Sequence, residues 1–431
     1  MNYPYKQVID MNTRISIDHI SQQLLQHVRF LGETVGSRPI GTPANHRAEQ
    51  YITQQFEQWG FAIRRQPFAC PHWIWKSGRL MRGSERACAF TPNPFTRGCD
   101  VEAPLVPIGN MADLEAVDIS GQIVLLYGDL ARERYTPRAF TLFRHERHHR
   151  ILQLLESRQP AAVLLVNPQV GRDKALPLMG DWLFPVPSAT VTPEVALKLV
   201  HAHGPIQLQM DTSIRPFESA NILARYQPRG THSTSTSSPA RVAVSAHFDT
   251  HFGAPGVIDN ATGVAVLLVL AEMAAHGDLG TEWTRPIDFI AFNGEEYAAL
   301  GDQVYLQSQP DFDNIIAAVN LDGVGLALGN TTITTMGCST ALDEAIHQAT
   351  SPHAALQWVE PWYESNHTTF LMQGVPAIAL SSRGVQGLAD SPDDTMDWLS
   401  VPRTVGALDV LRTVLEPLRQ LDPQRSRQRD S

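Results

Sequence analysis

The sequence predicts an α/β fold: a mostly parallel, mixed sheet flanked by helices on both faces, with a β-rich domain inserted into it. Three observations carry that reading. From residue 221 onward, apolar runs of strand length alternate with helix-period segments. Residues 77–211 differ in character, being rich in Pro, Gly and short apolar runs. The 431 residues exceed one ordinary domain, so two domains, or one with an insert, are expected.

In chain order, Ile20, Leu24, Leu25, Val28 and Leu31 recur at helix spacing and predict a helix over 17–31. A break at Gly36-Ser37-Arg38-Pro39-Ile40-Gly41-Thr42 precedes a second helix over 43–59, which Gly60 is suited to end. Residues 61–68 read as a strand. Inside the insert, 123–127 and 162–167 read as strands and 140–157 as the helix between them. Residues 221–226 begin the main sheet, and the low-complexity stretch 227–240 reads as a mobile loop. Strands follow at 242–245, 287–292, 316–321 and 377–381. Helices are expected at 263–275, 296–308, 341–350, 368–374 and 401–418. The first of these has few polar residues and should be well buried. The order argues a sheet covered on both faces. The main domain is therefore drawn over 17–76 and 212–420, the insert over 77–211, and 421–431 as a disordered tail.

Composition excludes several classes. At 43% hydrophobic and 18% charged, the chain has the balance of a globular protein with a full core. A formal charge of −10 and no long basic block argue against a nucleic-acid partner. The first twenty residues have no apolar core of signal-peptide length. The longest apolar run, 264–273, is interrupted by Glu272 and is shorter than the ~20 residues of a membrane span. No membrane association and a cytoplasmic location are expected. Cys70, Cys88, Cys99 and Cys338 suit free thiols better than a disulfide framework, although Cys88 with Cys99 is possible in an oxidising compartment. Oligomeric state is not encoded in any of these features.

Five polar clusters carry the chemistry: Ala246-His247-Phe248-Asp249, Ile258-Asp259-Asn260-Ala261-Thr262-Gly263, Asn293-Gly294-Glu295-Glu296, Asn320-Leu321-Asp322-Gly323 and Asp390-Ser391-Pro392-Asp393-Asp394-Thr395. In open α/β sheets, sites form beyond the carboxyl ends of the strands. His247, Glu295, Glu296 and Asp322 fall at such ends, Asp259 just before a helix, and Asp390 after the last strand. A divalent cation needs several deprotonated N and O ligands converging from different elements, and this set supplies them. Isolated Asp residues are more often helix caps or loop solvation, and Asp393 and Asp394 are read that way.

These motifs resemble the co-catalytic zinc aminopeptidases that include bacterial leucyl aminopeptidase and aminopeptidase Y, with glutamate carboxypeptidase and the glutaminyl cyclases as relatives. The resemblance takes in Gly36-Ser37-Arg38-Pro39 and nearly everything from 221 to 418. It is weaker in the insert, where 118–126 (DISGQIVLL) and 160–167 (PAAVLLVN) resemble a protease-associated domain. It implies two divalent metal ions, zinc above all. Asp259 would bridge them, His247 and Asp322 would complete one, and Glu296 would bind the other. Glu295 would be the general base and Asp249 would orient His247. A cis peptide between Asp259 and Asn260 is also implied, as are substrate-pocket positions at His367 and, for a carboxypeptidase, Arg383. Two ions ~3.5–4 Å apart polarise a peptide carbonyl and acidify a shared water.

One ligand departs from the pattern. The family's usual His falls at Asp390. The second ion would then have Asp259, Glu296 and Asp390 only, a harder set that favours Mn²⁺ or Mg²⁺ more than an imidazole site would. His251, four residues after His247, is read as a loop or pocket-lining residue. A second motif, His145-Glu146-Arg147-His148-His149, matches the His-Glu-x-x-His zinc helix, but Arg144, Arg147 and Arg150 oppose a cation, and a solvated helix face is expected there. The expected activity is a metal-dependent exopeptidase acting on peptide N-termini. The rivals are a carboxypeptidase, a glutaminyl-cyclase-like enzyme and a binding protein that has lost turnover through Asp390.

Overall fold

The computed structural model describes residues 16–82, 88–142, 144–228, 239–279, 283–308 and 311–427. The chain forms two compact units. One joins residues up to Phe68 with those from Glu218 onward, and the other is Ala69–Phe217. The chain passes between them within the strands Ala62–Arg82 and Ile206–Tyr226, so the observed limits of the insert lie outside the 77–211 read from composition.

In the main unit, four parallel strands form the centre of the sheet, in the order Ile287–Phe292, Arg241–His247, Ile315–Leu321, Ala377–Ser382. Every residue of these four is buried, as expected of parallel strands covered on both faces. Ile206–Tyr226 pairs antiparallel on one flank and Thr331–Met336 on the other. Alternate side chains divide between two cores. Val242, Val244 and Ala246 join the core beneath the helices Ile17–Arg29, Pro43–Gln58, Thr262–His276 and Val401–Leu418. Ala243 and Ile290 face the opposite core, with Tyr305 of Leu300–Ser308 and Phe370 of His367–Leu371.

Thr262–His276 is buried at every position from Thr262 to Ala274. With the turn before it, Val257–His276 is long and apolar enough to cross a membrane, yet 94% of its most apolar window is buried inside the protein. The tail read as disordered is ordered as far as Arg427. Pro423–Ser426 is a short helix, and Ser339 donates its N–H to the Ser426 carbonyl and its hydroxyl to the Arg425 carbonyl. Residues 428–431, and 229–238 of the expected mobile loop, lie outside the described residues.

The second unit has its own sheet, in the order Thr91–Pro92, Ser188–Val191, Ala162–Val166, Ile123–Leu126, Leu105–Ile108, parallel except for the first pair. The helix between its two central strands is Glu146–Arg158 and begins later than expected. Two helices that the sequence reading missed, Met111–Ala116 and Pro193–His201, give this unit more helix than its composition suggested. None of the four cysteines forms a disulfide among the described residues.

Candidate metal centre

The site grows from the carboxyl ends of the parallel strands. His247 closes its strand, in register with Phe292 of the neighbouring one, and Glu295 and Glu296 follow three and four residues later. On the other side Asn320 pairs with Ser245, so Asp322 leaves the sheet on the same rim. The loops then bring the remaining groups in. His247 Nε2 lies 3.1 Å from Asp259 Oδ1 and 3.5 Å from Asp322 Oδ1. His251 Nε2 lies 2.6 Å from Glu296 Oε2 and 3.1 Å from Asp390 Oδ1. Three sets therefore place one ligand atom per residue within 4.8 Å of one another: His247–Asp259–Asp322, His247–Glu295–Glu296 and His251–Glu296–Asp390.

Buried polar groups fix these loops. Asp249 is fully buried, and its two carboxylate oxygens accept the N–H groups of Glu295 and Glu296, each at 3.2 Å. The helix expected from 296 begins only at Leu300, because Ala298 and Ala299 take left-handed conformations (φ 59° and 49°) that a helix excludes. Asp394 likewise anchors the Asp259 turn. Its oxygens accept from Ile258 N–H at 2.8 Å and Asp259 N–H at 2.9 Å. The bond between Asp259 and Asn260 is cis.

Arg38 is fully buried and spends its guanidinium on backbone carbonyls, among them those of Phe248, Pro255 and Gly256. Its own N–H is donated to Thr250 Oγ1. Gly256 has φ 61°, and a Cβ there would come within 2.2 Å of Thr250 Cγ2 and 2.5 Å of the Asp259 carbonyl, so the loop closes only on glycine.

The electrostatics fit a divalent cation. Asp259, Glu295, Glu296, Asp322 and Asp390 gather around two imidazoles, and the guanidinium beneath them donates to carbonyls instead of to these carboxylates. Burial, then repulsion from Asp322, raises Asp259 to about 7 against the pull of His247. Burial likewise holds Glu295 well above the usual carboxyl range; His247 opposes this, while Asp322, Asp249 and Asp302 add to it. Glu296 is raised by burial and then by Asp390, Asp259 and Glu295. Burial would lower His247, but Asp322, Asp249 and Asp259 outweigh it and hold the imidazole well above its ordinary value. Carboxylates crowded this closely out of water are stabilised in their charged form by a bound cation, and affinity then rises as protons leave.

The ligands open into a cavity of about 970 Å³, whose walls include Glu360, Trp362, Glu364 and Arg383. His367 is fully buried and is not part of that wall. Its Nε2 shares a 2.7 Å hydrogen bond with the Trp362 carbonyl, so it acts on the cavity through Trp362, in place of the direct contact expected of it.

Sequence reasoning thus reached His247, Asp249, Asp259, Glu295, Glu296, Asp322, Asp390 and Arg383, all of which line the cavity or support it. It undervalued two residues. Asp394 was read as a cap or loop solvation and is a buried anchor for the Asp259 turn. His251 was read as a loop or pocket-lining residue, and its Nε2 stands within 3.1 Å of carboxylate oxygens of both Glu296 and Asp390. The available signal was the coincidence of an extra His at 251 with a missing one at 390.

The family model described as Peptidase family M28 matches residues 221–414. The probable lipoprotein aminopeptidase LpqL of Mycobacterium tuberculosis is 22% identical over 311 residues, covering 70% of this chain and 57% of that relative, so the chain spans little more than half its length. The aminopeptidase from Aneurinibacillus sp. strain AM-1 superimposes with a TM-score of 0.71 at 22% identity, covering 95% of each chain. The zinc aminopeptidase BSAP of Bacillus subtilis gives 0.73 at 19%, covering 95% of this chain and 98% of that one. The segment 221–414 that matches the peptidase family M28 model holds every imidazole and carboxylate of the centre described above.

Proposed function

We propose that the protein is a metal-dependent exopeptidase, an aminopeptidase that uses two divalent ions, zinc in the first instance. The observation that carries this reading is the convergence of two imidazoles and five carboxylates on one rim, in sets that share His247 and Glu296. His247, Asp259 and Asp322 would hold one ion and Glu296 and Asp390 the other, with Asp259 between them. When bound, the ions supply Lewis acidity to the peptide carbonyl and acidify water.

The chain's own residues do the rest. Glu295, in the cavity wall with its N–H held by Asp249, takes the proton of the attacking water and returns it to the leaving amine. Asp249 fixes the 295–296 turn through two N–H groups and lies 3.7 Å from His247 Nδ1, where it orients the ring.

Glu360 and Glu364 add negative charge to the wall beyond the ligands, which suits the free ammonium of a peptide N-terminus. A carboxypeptidase reading rests on Arg383, an exposed cation on the same wall that can clamp a carboxylate. The 118–126 and 160–167 segments that resemble a protease-associated domain contain paired parallel strands, and we assign the second unit to that class on this support.

The test compares aminoacyl anilides with N-blocked dipeptides and N-terminal glutaminyl peptides, before and after chelation. Chelator-sensitive release of N-terminal residues, restored by zinc, is expected. Turnover of the blocked dipeptides alone would transfer the assignment to a carboxypeptidase, and cyclisation alone to a glutaminyl cyclase. Turnover of none by the zinc-loaded protein would contradict an enzymatic role.

A further inference from the structure

We infer that His251 is the nitrogen ligand of the second ion, taking the place that the last loop of the site gives to an oxygen at Asp390. The inference rests on the metallopeptidase reading and goes beyond it by changing the ligand set.

Three observations carry it. The first is convergence. The Nε2 of His251 lies 2.6 Å from Glu296 Oε2 and 3.1 Å from Asp390 Oδ1, so one ring nitrogen addresses both carboxylates assigned to that ion.

The second is that the ring is placed by dedicated contacts. Its side chain is 11% exposed, and the ring tilts against Tyr297 with centroids 5.6 Å apart. Tyr297 donates its hydroxyl to the Thr250 carbonyl at 2.9 Å. Ser37 donates its hydroxyl to the His251 carbonyl at 3.1 Å and accepts the Gly253 N–H at 2.9 Å. Arg38 N–H holds Thr250 Oγ1. The Ser37-Arg38 pair therefore secures one loop that carries His247 at its start and His251 four residues on, one imidazole for each ion.

The third is donor chemistry. Without His251 the second ion would meet carboxylates only, in a pocket where burial and mutual repulsion already burden them. With it, each ion has one neutral imidazole and carboxylates, a set that lowers repulsion between ligands and suits zinc. The loss of an imidazole at 390 and the gain of one at 251 then form a compensated exchange.

A different role would be a salt bridge, with a protonated His251 neutralising Glu296 and Asp390. The two roles predict opposite responses, because a protonated His251 competes with the ion whereas a ligand recruits it. The experiment is calorimetric titration of zinc into the chelator-stripped full chain, with metal counted after dialysis. Wild type is expected to bind two ions. In H251A the weaker event should be lost or weakened about a hundredfold while the other is kept, and H251A/D390H should regain it as the imidazole returns from the last loop. Two events of wild-type or greater affinity in H251A would overturn the inference. A wild type that binds no zinc would instead overturn the metallopeptidase reading itself.

Thermal unfolding of the zinc-free variants checks that they fold, and H251N carries the same readout if H251A does not. Cobalt-loaded wild type gives an answer without any variant. Paramagnetically shifted ring N–H resonances from two histidines support the assignment, and from His247 alone overturn it.

Discussion

Among the described residues, two places, one in each unit, bring histidines and acids within reach of a single ion, and they differ in how those groups are already engaged. In the second unit Glu133, His145 and His148 also bring three ligand atoms within 4.8 Å. The difference lies in what those atoms are already doing. His148 Nδ1 accepts the Thr136 N–H at 3.1 Å, which leaves the ring proton on Nε2, facing Glu133 Oε1 at 3.3 Å. Glu133 Oε1 lies 3.2 Å from Arg132 Nε and 4.0 Å from Arg147 Nη1, so its charge is met by arginine. Burial and the neighbouring His145 lower the His148 pKa, with Glu133 opposing them. The His-Glu-x-x-His spacing does not form a ligand pair either. His145 caps the helix from outside it, and His149 is hydrogen-bonded to Gln153. In the main unit the imbalance runs the other way. Carboxylates outnumber imidazoles, and the buried Arg38 gives its N–H groups to backbone carbonyls. Ligand types within reach are thus a weak criterion; uncompensated negative charge discriminates.

The comparison can be broken most sharply at Glu295. E295A should lower kcat by roughly 10²–10⁴-fold, the range for loss of a general base, while zinc content stays at the wild-type value. A variant that loses zinc along with turnover would make Glu295 a ligand. The supporting carboxylates come next. D394A removes the acceptor for Ile258 and Asp259 N–H, and zinc affinity should fall about 10–100-fold, read by competition with a chromogenic chelator. Unchanged affinity would mean the Asp259 turn holds its shape unaided.

A pH series sharpens the contrast through linkage. Burial holds Asp259 at about 7 in the zinc-free fold, up from its ordinary 3.8. A carboxyl raised in the folded state stabilises it fully below the unfolded value, and that stability is lost as pH rises through the folded value. Zinc reverses the loss because it binds the deprotonated form. The rise in thermal midpoint on adding zinc should therefore be larger at about pH 8 than at about pH 5, and equal rises would contradict the assignment. The smallest effect is expected in the other cluster. H148A leaves the Thr136 N–H without its acceptor and should cost about 1–3 kcal/mol of stability, with zinc stoichiometry and turnover untouched.

Legibility in the sequence followed the same physics. Continuous apolar strands have sharp ends, and those ends fix which residues reach the rim, so His247, Glu295, Glu296 and Asp322 were readable without coordinates. Thr331–Met336 was missed because Thr at four of its six positions gives no apolar run, although β-branched residues suit an antiparallel flank. The late start of Leu300–Ser308 follows left-handed backbone at Ala298 and Ala299, which no local pattern of ordinary residues signals. His251 was undervalued for a related reason. Its ring direction depends on Tyr297 and Ser37, which contact its loop only in the folded protein. His148 was expected on a solvated face and is buried, because the helix presents it to Tyr135, whose ring stacks on it at 5.0 Å.

The most direct test is anomalous diffraction at the zinc edge from crystals of the zinc-loaded protein. Two peaks are expected in the cavity, one among His247, Asp259 and Asp322 and one among His251, Glu296 and Asp390, and none beside Glu133 and His148. An empty cavity, or a peak at His148, would contradict this expectation.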